Sequence, residues 1–174
     1  GLIEPDDGAL VYRGEYIDSL RGRVGYMMQK DLLFPWRTVL ANVLLGLEMR
    51  GVARAEAVET AREHLNAFGL SGFEHAYPKT LSGGMRQRVA LIRTLIMDPD
   101  ILLLDEPFSA LDYQTRLYLE GVLKDAVERF HKTVVLVTHD IDEAVALSKR
   151  VVVLSGRPAR VKAVHEIEIA EHSP

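Results

Sequence analysis

Two short runs stand out in this chain because nearly every position in them is hydrophobic. They are Ile-Leu-Leu-Leu at 101–104 and Thr-Val-Val-Leu-Val at 133–137. Runs of this length are typical of strands that are covered on both faces in a parallel sheet. Elsewhere the apolar residues recur at helical spacing, as at positions 58, 61, 65 and 68. Buried strands that alternate with helices predict an α/β fold.

The same patterns set the expected order of elements. Strands are predicted at 9–12, 24–28, 101–104, 133–137, 151–154 and 161–169. Helices are predicted at 38–49, 54–68, 82–97, 113–131 and 140–147. Gly51 and Gly69 are expected to end the first two helices, and Pro99 to stop the third. A loop that includes Gly14 is expected between the first two strands.

The first two helices are expected to form an insert on one side of the sheet. With the stretch up to Thr80 they make a helical subdomain at 38–80. A partial core at 1–37 precedes it, and a segment at 81–174 carries the remaining strands. All three parts are expected to belong to one domain.

Polar residues follow both apolar runs. Asp105 and Glu106 come after the first run, and His139 comes shortly after the second. Ligands of open α/β sheets bind beyond the carboxyl ends of the strands, so we expect these side chains to converge. Asp105 suits Mg²⁺, which prefers one or two carboxylates together with waters and phosphate oxygens. Glu106 suits a group that polarises a water, and His139 a donor to a phosphate. The ordinary alternative is a helix cap or a surface salt bridge for the two carboxylates, and a hydrogen bond to neighbouring backbone for His139.

A glycine-containing segment opens the third predicted helix. It reads Leu81-Ser82-Gly83-Gly84-Met85-Arg86-Gln87. The serine is expected to cap the helix, and the two glycines allow a ligand to approach the backbone closely. Free N–H groups at a helix N-terminus bind anions, although an ordinary serine-capped start is the alternative. The helix leads directly into the strand that ends at Asp105, which favours the anion site.

Composition narrows the class of protein. The chain of 174 residues is 48% hydrophobic and 26% charged, which is ordinary for a globular domain. A formal charge of −4 gives no sign of a nucleic-acid partner. The absence of Cys excludes disulfides and thiolate metal sites. No apolar run approaches the roughly 20 residues that span a bilayer, and the acidic start at Gly1 is not a signal peptide.

These residues together resemble the ATP-binding subunits of ABC transporters. The segment 81–87 is similar to their signature motif, and 101–107 to their Walker B strand with its catalytic glutamate. The segment 109–112 resembles the D-loop, His139 the switch histidine, and Gln29 the glutamine of the Q-loop. The segments 33–38 and 154–158 are similar to importers of nitrate, sulfonate and taurine.

The resemblance implies a P-loop NTPase-type fold, in which a mostly parallel sheet is flanked by helices, with ATP and Mg²⁺ as cofactors. It implies that Glu106 and His139 are catalytic. Asp105 would hold Mg²⁺ directly, and Gln29 would hold it through water. The residues that would contact the nucleotide are Gln29, Leu81, Ser82, Gly83, Gly84, Met85, Gln87 and Asp112.

The resemblance also implies partners. Two subunits, either a homodimer or a pair of nucleotide-binding subunits, would stack head to tail on the cytoplasmic face of the membrane. The segment Lys30 to Thr38 would face a transmembrane permease subunit, and a solute-binding protein outside the cell would act indirectly. Within that segment 32–36 is rich in large apolar residues and is either an exposed docking patch or part of the core under the helical insert. Trp36 is expected to be packed rather than exposed.

One motif of the family is missing from this sequence. The phosphate-binding loop has the pattern G-x-x-x-x-G-K-[ST], and the sequence has no Gly-Lys pair. We expect that loop, with its strand and helix, upstream of Gly1, and we expect the chain as written to be inactive alone. A degenerate permease-docking module without hydrolysis is one alternative. An SMC-type chromosome-maintenance ATPase is another, although no heptad run of a coiled coil is present. The segment Val161 to Pro174 matches no motif.

Overall fold

The computed structural model describes residues 6–20, 22–129 and 132–168. The strands within these ranges are β1 (Leu10–Tyr12), β2 (Glu15–Ile17), β3 (Val24–Met27), β4 (Ile101–Asp105), β5 (Thr133–Val137), β6 (Arg150–Leu154) and β7 (Val161–Glu166). The α-helices are α1 (Val39–Met49), α2 (Arg54–Ala67), α3 (Gly83–Leu95), α4 (Tyr113–Arg129) and α5 (Ile141–Leu147). No helix in these ranges is both long enough and apolar enough to cross a membrane.

Strands β3, β4 and β5 form a parallel sheet with β4 in the middle. Met27 of β3 pairs with Leu104 of β4, and Asp105 pairs with Val137 of β5. All three strands therefore end at one edge of the sheet. The sheet and its flanking helices confirm the predicted α/β class. Two antiparallel pairs, β1 with β2 and β6 with β7, complete the described strands.

Helices α1, α2 and α3 pack against one another beside β3. Thr38 caps α1, because its side-chain oxygen accepts a hydrogen bond from the backbone N–H of Ala41 at 3.2 Å. Gly69 takes a left-handed φ of 64° after α2, as predicted for a helix end. A side chain at Gly25 of β3 would lie 2.7 Å from the ring of Pro99 and 2.9 Å from Thr94, so β3 is in close contact with the end of α3 and the segment that follows it.

One hydrophobic core joins the three helices to the sheet and to α4. Leu102 and Leu104 of β4 are almost fully buried, and Ile92 of α3 and Leu119 of α4 belong to the same cluster. At roughly 25 cal/mol per Å² of apolar surface, such burial is the main stabilising contribution to the fold. The divisions at 1–37, 38–80 and 81–174 remain a prediction. Helix α3, which belongs to the third part, packs on α1 and α2 of the second.

The structure corrects three of the sequence predictions about elements. The loop expected around Gly14 contains β2. Arg13 and Gly14 both have positive φ, which is the two-residue turn that a hairpin prefers. Strand β5 was expected to be covered on both faces, but exposed and partly buried residues alternate along it. Alternate side chains lie on opposite faces of a strand, so Val135 and Val137, which are about half exposed, mark the less covered face. Helix α3 ends two residues before Met97.

Two predicted ends fall outside the described ranges. They are the last positions of the helix predicted to reach His131 and of the strand predicted to reach Ile169.

Candidate functional site

Glu106 lies at the carboxyl edge of the sheet between two other candidates. Its Oε2 accepts a hydrogen bond from Gln29 Nε2 at 2.9 Å, and its Oε1 lies 3.1 Å from His139 Nδ1. The backbone N–H of Glu106 donates to the carbonyl of Val137 at 2.8 Å, which extends the β4–β5 ladder into the site. The expected convergence at this edge is therefore met for Glu106 and His139, and Gln29, which was not part of that expectation, joins them.

The backbone of Glu106 is strained. Its φ is 48°, a left-handed conformation that costs a non-glycine residue roughly 1–2 kcal/mol. Ser109 holds this conformation, since its hydroxyl and its N–H both donate to the carbonyl of Glu106, at 3.0 and 3.3 Å. Such strain is concentrated at functional sites, where the surrounding structure over-determines it.

Asp105, the last residue of β4, is half-buried. In the described part of the chain, its carboxylate has no hydrogen-bond or ion-pair partner. A half-buried carboxylate without a protein partner suits a cation. Within the described ranges no cluster of three or more His, Cys, Asp or Glu side chains is placed to hold a metal ion. The arrangement fits Mg²⁺, which takes few protein carboxylates and completes its shell with waters and phosphate oxygens.

The two glycines at the start of α3 have different surroundings. Ser82 caps the helix by accepting a hydrogen bond from the N–H of Met85 at 3.2 Å, as predicted. A side chain at Gly83 would meet only the end of Arg86 at 3.9 Å, so the backbone is open to a ligand there. A side chain at Gly84 would lie 2.9 Å from Leu111, so this glycine lets the loop before α4 pack against the helix. Leu81 is buried beneath this turn.

Two residues predicted to contact the nucleotide are engaged elsewhere in this structure. Gln87 is buried, and its amide donates to the backbone carbonyl of Gln29 at 3.1 Å. Asp112 caps α4, since its carboxylate accepts a hydrogen bond from the N–H of Thr115 at 3.0 Å. Hydrogen bonds from Thr115 lower the pKa of Asp112. In this structure both side chains therefore form hydrogen bonds with backbone groups of the chain.

Two arginines of α3 join Gln87 in holding the turn after β3, and sequence reasoning gave them no role. Arg86 Nε pairs with the carboxylate of Asp31 at 3.0 Å. Arg93 donates to the backbone carbonyls of Asp31 and Leu32 at 2.8 and 2.9 Å. We call Arg86, Gln87 and Arg93 the α3 clamp. The seven-residue spacing of Arg86 and Arg93 puts the two arginines on one face of a helix, which is the signal that the sequence offered.

The apolar cluster at 32–36 is divided between core and surface. Leu33 is buried, whereas Leu32 is 53% exposed and Trp36 is 71% exposed. The expectation that Trp36 is packed was wrong. The ring of Trp36 touches that of Phe34, with their centroids 5.2 Å apart, and otherwise faces outward.

Asn42 explains why this segment is fixed while Trp36 faces outward. Asn42 is fully buried in α1, and its amide oxygen accepts a hydrogen bond from the N–H of Phe34 at 2.8 Å. Its amide nitrogen donates to the carbonyls of Phe34, Arg37 and Thr38 at 3.0–3.1 Å. One buried side chain therefore anchors the backbone of the whole turn, and no motif in the sequence signalled it.

A second polar group lies behind His139. Arg116 of α4 forms an ion pair with Asp140 and lies 3.9 Å from Glu120. Glu143 of α5 is 5% exposed, and one of its oxygens accepts a hydrogen bond from the Thr138 hydroxyl. We call Arg116, Glu120, Asp140 and Glu143 the acidic pocket.

Burial raises the pKa of two members of the acidic pocket. It raises the pKa of Glu120 and of Glu143, and each carboxyl also faces another acidic group. Hydrogen bonds, first from the N–H of Glu143, lower the pKa of Asp140. The pocket therefore favours protons on its glutamates and a charge on its aspartate.

A model of the family described as "ABC transporter" matches residues 1–109. An uncharacterized ABC transporter ATP-binding protein of Methanocaldococcus jannaschii is 48% identical over 97% of this chain and 63% of its own length. The nitrate import ATP-binding protein NrtD of Synechocystis is 42% identical over 93% of this chain and 61% of its own. The aliphatic sulfonates import ATP-binding protein SsuB of Bacillus cereus is 42% identical over 95% and 65%.

A solved structure of an ATP-binding cassette is also similar to this chain. This cassette, determined as a dimer in a post-hydrolysis state with ADP and Pi, is 31% identical and superposes with a TM-score of 0.86. The match covers 96% of this chain and 76% of that one. The chain spans less than two thirds of the length of the first curated relatives that it matches, between 63% and 65%.

Proposed function

The chain belongs to the ABC transporter family, and on that premise we propose that it is part of a subunit that hydrolyses ATP to ADP and phosphate and so powers solute import. The observation that carries this proposal is the position of Glu106. Its carboxylate is held between Gln29 and His139, and the residue before it, Asp105, has a carboxylate without a partner among the described residues.

Glu106 is the proposed general base. Its two oxygens face different neighbours, so a water that replaces either contact is positioned and polarised for attack on the terminal phosphorus of ATP. His139, whose ring is mostly exposed, is free to donate to the terminal phosphate. Mg²⁺ held by Asp105, and by Gln29 through water, would neutralise charge on the phosphates. Replacing either neighbour would change how the attacking water is oriented.

The start of α3 is proposed to bind nucleotide that is held mainly by a second subunit. Ser82 and Gly83 present an open helix N-terminus, which suits a phosphate. Leu81 and Met85 pack on the core beneath that turn, and Gly84 lies against Leu111. The dimeric form of the solved cassette that this chain resembles supports such pairing.

The segment Lys30 to Thr38 is proposed to contact a transmembrane permease subunit at the cytoplasmic face of the membrane. Leu32 and Trp36 expose apolar surface on a turn that Asn42 and the α3 clamp hold fixed. A rigid exposed aromatic residue is typical of interface anchors. The nitrate and sulfonate importers among the relatives support a small oxyanion as the imported solute.

Replacing Glu106 with Gln tests the catalytic proposal. We expect the assembled transporter to lose at least about a hundredfold in ATP turnover, because an amide cannot accept the proton of the attacking water. Binding of ATP, measured by equilibrium dialysis, should be retained. Glu128→Gln, an exposed carboxylate of α4, is the matched control and should keep full turnover. A wild-type subunit that binds the permease but does not hydrolyse ATP would instead support the alternative of a docking module without hydrolysis.

Replacing Trp36 with Ala tests the docking proposal. Because the side chain is 71% exposed, the melting temperature should change little, while co-purification with the permease should fall about tenfold or more. Tyr16→Ala is the matched control, since this aromatic residue is 80% exposed on β2. Equal loss in both variants, or in neither, would contradict a specific contact at Trp36.

A further inference from the structure

Glu143 is the one carboxyl of the acidic pocket that has a buried oxygen without a partner. Its Oε2 accepts the hydrogen bond from Thr138, while its Oε1 is buried and has no hydrogen-bond partner in the described part of the chain. A carboxylate in that position would keep a negative oxygen out of water with nothing to compensate it. A neutral carboxylic acid carries its proton on that oxygen and avoids most of the cost.

The charges around Glu143 favour the neutral form as well. From α4 it faces Arg116 and Glu120, and from the turn after β5 it faces Asp140. It also lines a cavity of about 90 Å³ together with His139 and Glu106, among others. Three carboxyls share one guanidinium, which is already paired with Asp140. With all three ionised the pocket would carry two uncompensated negative charges, so a proton on Glu143 is favoured.

Thr138 connects this carboxyl to His139. The Thr138 hydroxyl donates to Glu143, and the same oxygen accepts a hydrogen bond from the N–H of Asp140 at 3.0 Å. The two residues that flank His139 in the chain are thus joined through one hydroxyl whose direction Glu143 sets. The ring of His139 is 77% exposed and has only its contact with Glu106 in the described part of the chain.

We propose that Glu143 is a positioning residue for His139, and that its buried carboxyl acts as the neutral acid, holding Thr138 and thereby the turn that carries the histidine. This inference rests on the proposed function for its effect on turnover. The protonation of Glu143 is independent of that function, and thermal unfolding measures it without any nucleotide or partner.

Thermal unfolding against pH tests the protonation. If a carboxyl holds its proton more strongly in the folded protein than in the unfolded chain, the free energy of unfolding falls as pH rises from the ordinary pKa to the raised one. A Gln at that position cannot ionise and makes no such contribution. Glu143→Gln should therefore melt higher than the wild type at neutral pH, and the difference should shrink on acidification. Asp142→Asn makes the corresponding acid-to-amide change at an exposed neighbour in α5 and should show no such trend. A Glu143→Gln difference that is independent of pH would overturn the neutral acid.

ATP turnover of the assembled transporter tests the positioning role. Glu143→Gln should keep kcat within about twofold, because an amide presents the same acceptor to Thr138. Glu143→Ala and Thr138→Val should each lower kcat about tenfold with KM for ATP unchanged, because His139 loses its fixed approach. Equal kcat in Glu143→Gln and Glu143→Ala would overturn the role. A wild-type transporter that does not hydrolyse ATP would instead refute the proposed function and leave the unfolding result to decide the protonation.

Discussion

The α3 clamp and the acidic pocket lie on opposite sides of Glu106 and differ in charge. The clamp holds the turn after β3, which carries Gln29, and the pocket lies beside the turn after β5, which carries His139. In the clamp, the guanidinium groups meet one carboxylate and three backbone carbonyls, and each cation has a partner within 3.0 Å. In the pocket, three carboxyls meet one guanidinium, and an oxygen of Glu143 has no partner among the described residues. The clamp therefore has one more cation than carboxylate, with every cation hydrogen-bonded, whereas the pocket has an excess of carboxyls.

The comparison shows that Glu106 is contacted from one turn whose geometry is independent of pH and from another whose geometry depends on pH. A group of fully partnered charges holds its geometry at any pH where the partners stay ionised. A group with excess carboxyls binds protons, so its geometry depends on pH. Gln29 is therefore expected to approach Glu106 from a rigid turn, and His139 from a turn whose stability changes with protonation.

Arg93→Ala should have the largest effect on the rigid side. The change leaves the carbonyls of Asp31 and Leu32 without their charged donor, which we expect to cost about 2–3 kcal/mol in the free energy of unfolding. Chemical denaturation measures that free energy. Arg62→Ala, on the exposed face of α2, is the control and should cost less than about 0.5 kcal/mol. A loss at Arg93 that varied strongly between about pH 6 and about pH 8 would break the comparison.

A double-mutant cycle on Arg86 and Asp31 should show an intermediate effect. Both side chains are about one-third exposed, so we expect a coupling energy of about 1 kcal/mol, at the upper end for such pairs. The cycle uses Arg86→Met, Asp31→Asn and the double variant. The coupling should be the same at mildly acidic and neutral pH. A cycle without coupling would show that Arg93 and Gln87 hold the turn alone.

Glu120→Gln should have the smallest effect, and one of opposite sign. Burial raises the pKa of Glu120, so the wild type loses stability as pH rises from the ordinary value of a glutamate to the raised one. The variant should melt a few degrees higher than the wild type at neutral pH and equal to it in acid. The melting temperature measured across that range checks the sign. A variant that melts lower at neutral pH would show that the ion pair with Arg116 outweighs the burial.

The parts of the fold that depend on local pattern could be predicted from the sequence. The cap at Ser82 and the end of α2 at Gly69 follow from local backbone chemistry. The convergence of Glu106 and His139 follows from the parallel order of β4 and β5. The exposure of Val135 and Trp36 could not be predicted, because it depends on which distant elements cover a strand or a turn.

The supporting residues of the site could not be predicted either. Asn42 and Glu143 lie in helices whose patterns give no sign of their partners. Asn42 is satisfied by a turn up to eight residues away, and Glu143 by the end of a neighbouring strand. Their partners lie within eight residues along the chain, but only the folded chain shows that both side chains are buried and which groups they meet. Buried polar side chains are normally hydrogen-bonded, so each role becomes visible only with its partner.

The left-handed backbone at Glu106 has a consequence for any attempt to engineer this protein. Glycine adopts that conformation without strain, so Glu106→Gly is a substitution that relaxes the chain while it removes the carboxylate. A library screened only for heat resistance would enrich glycine and asparagine at this position and collect inactive variants. A screen that selects on turnover and heat together would keep the glutamate and find its stabilising changes elsewhere.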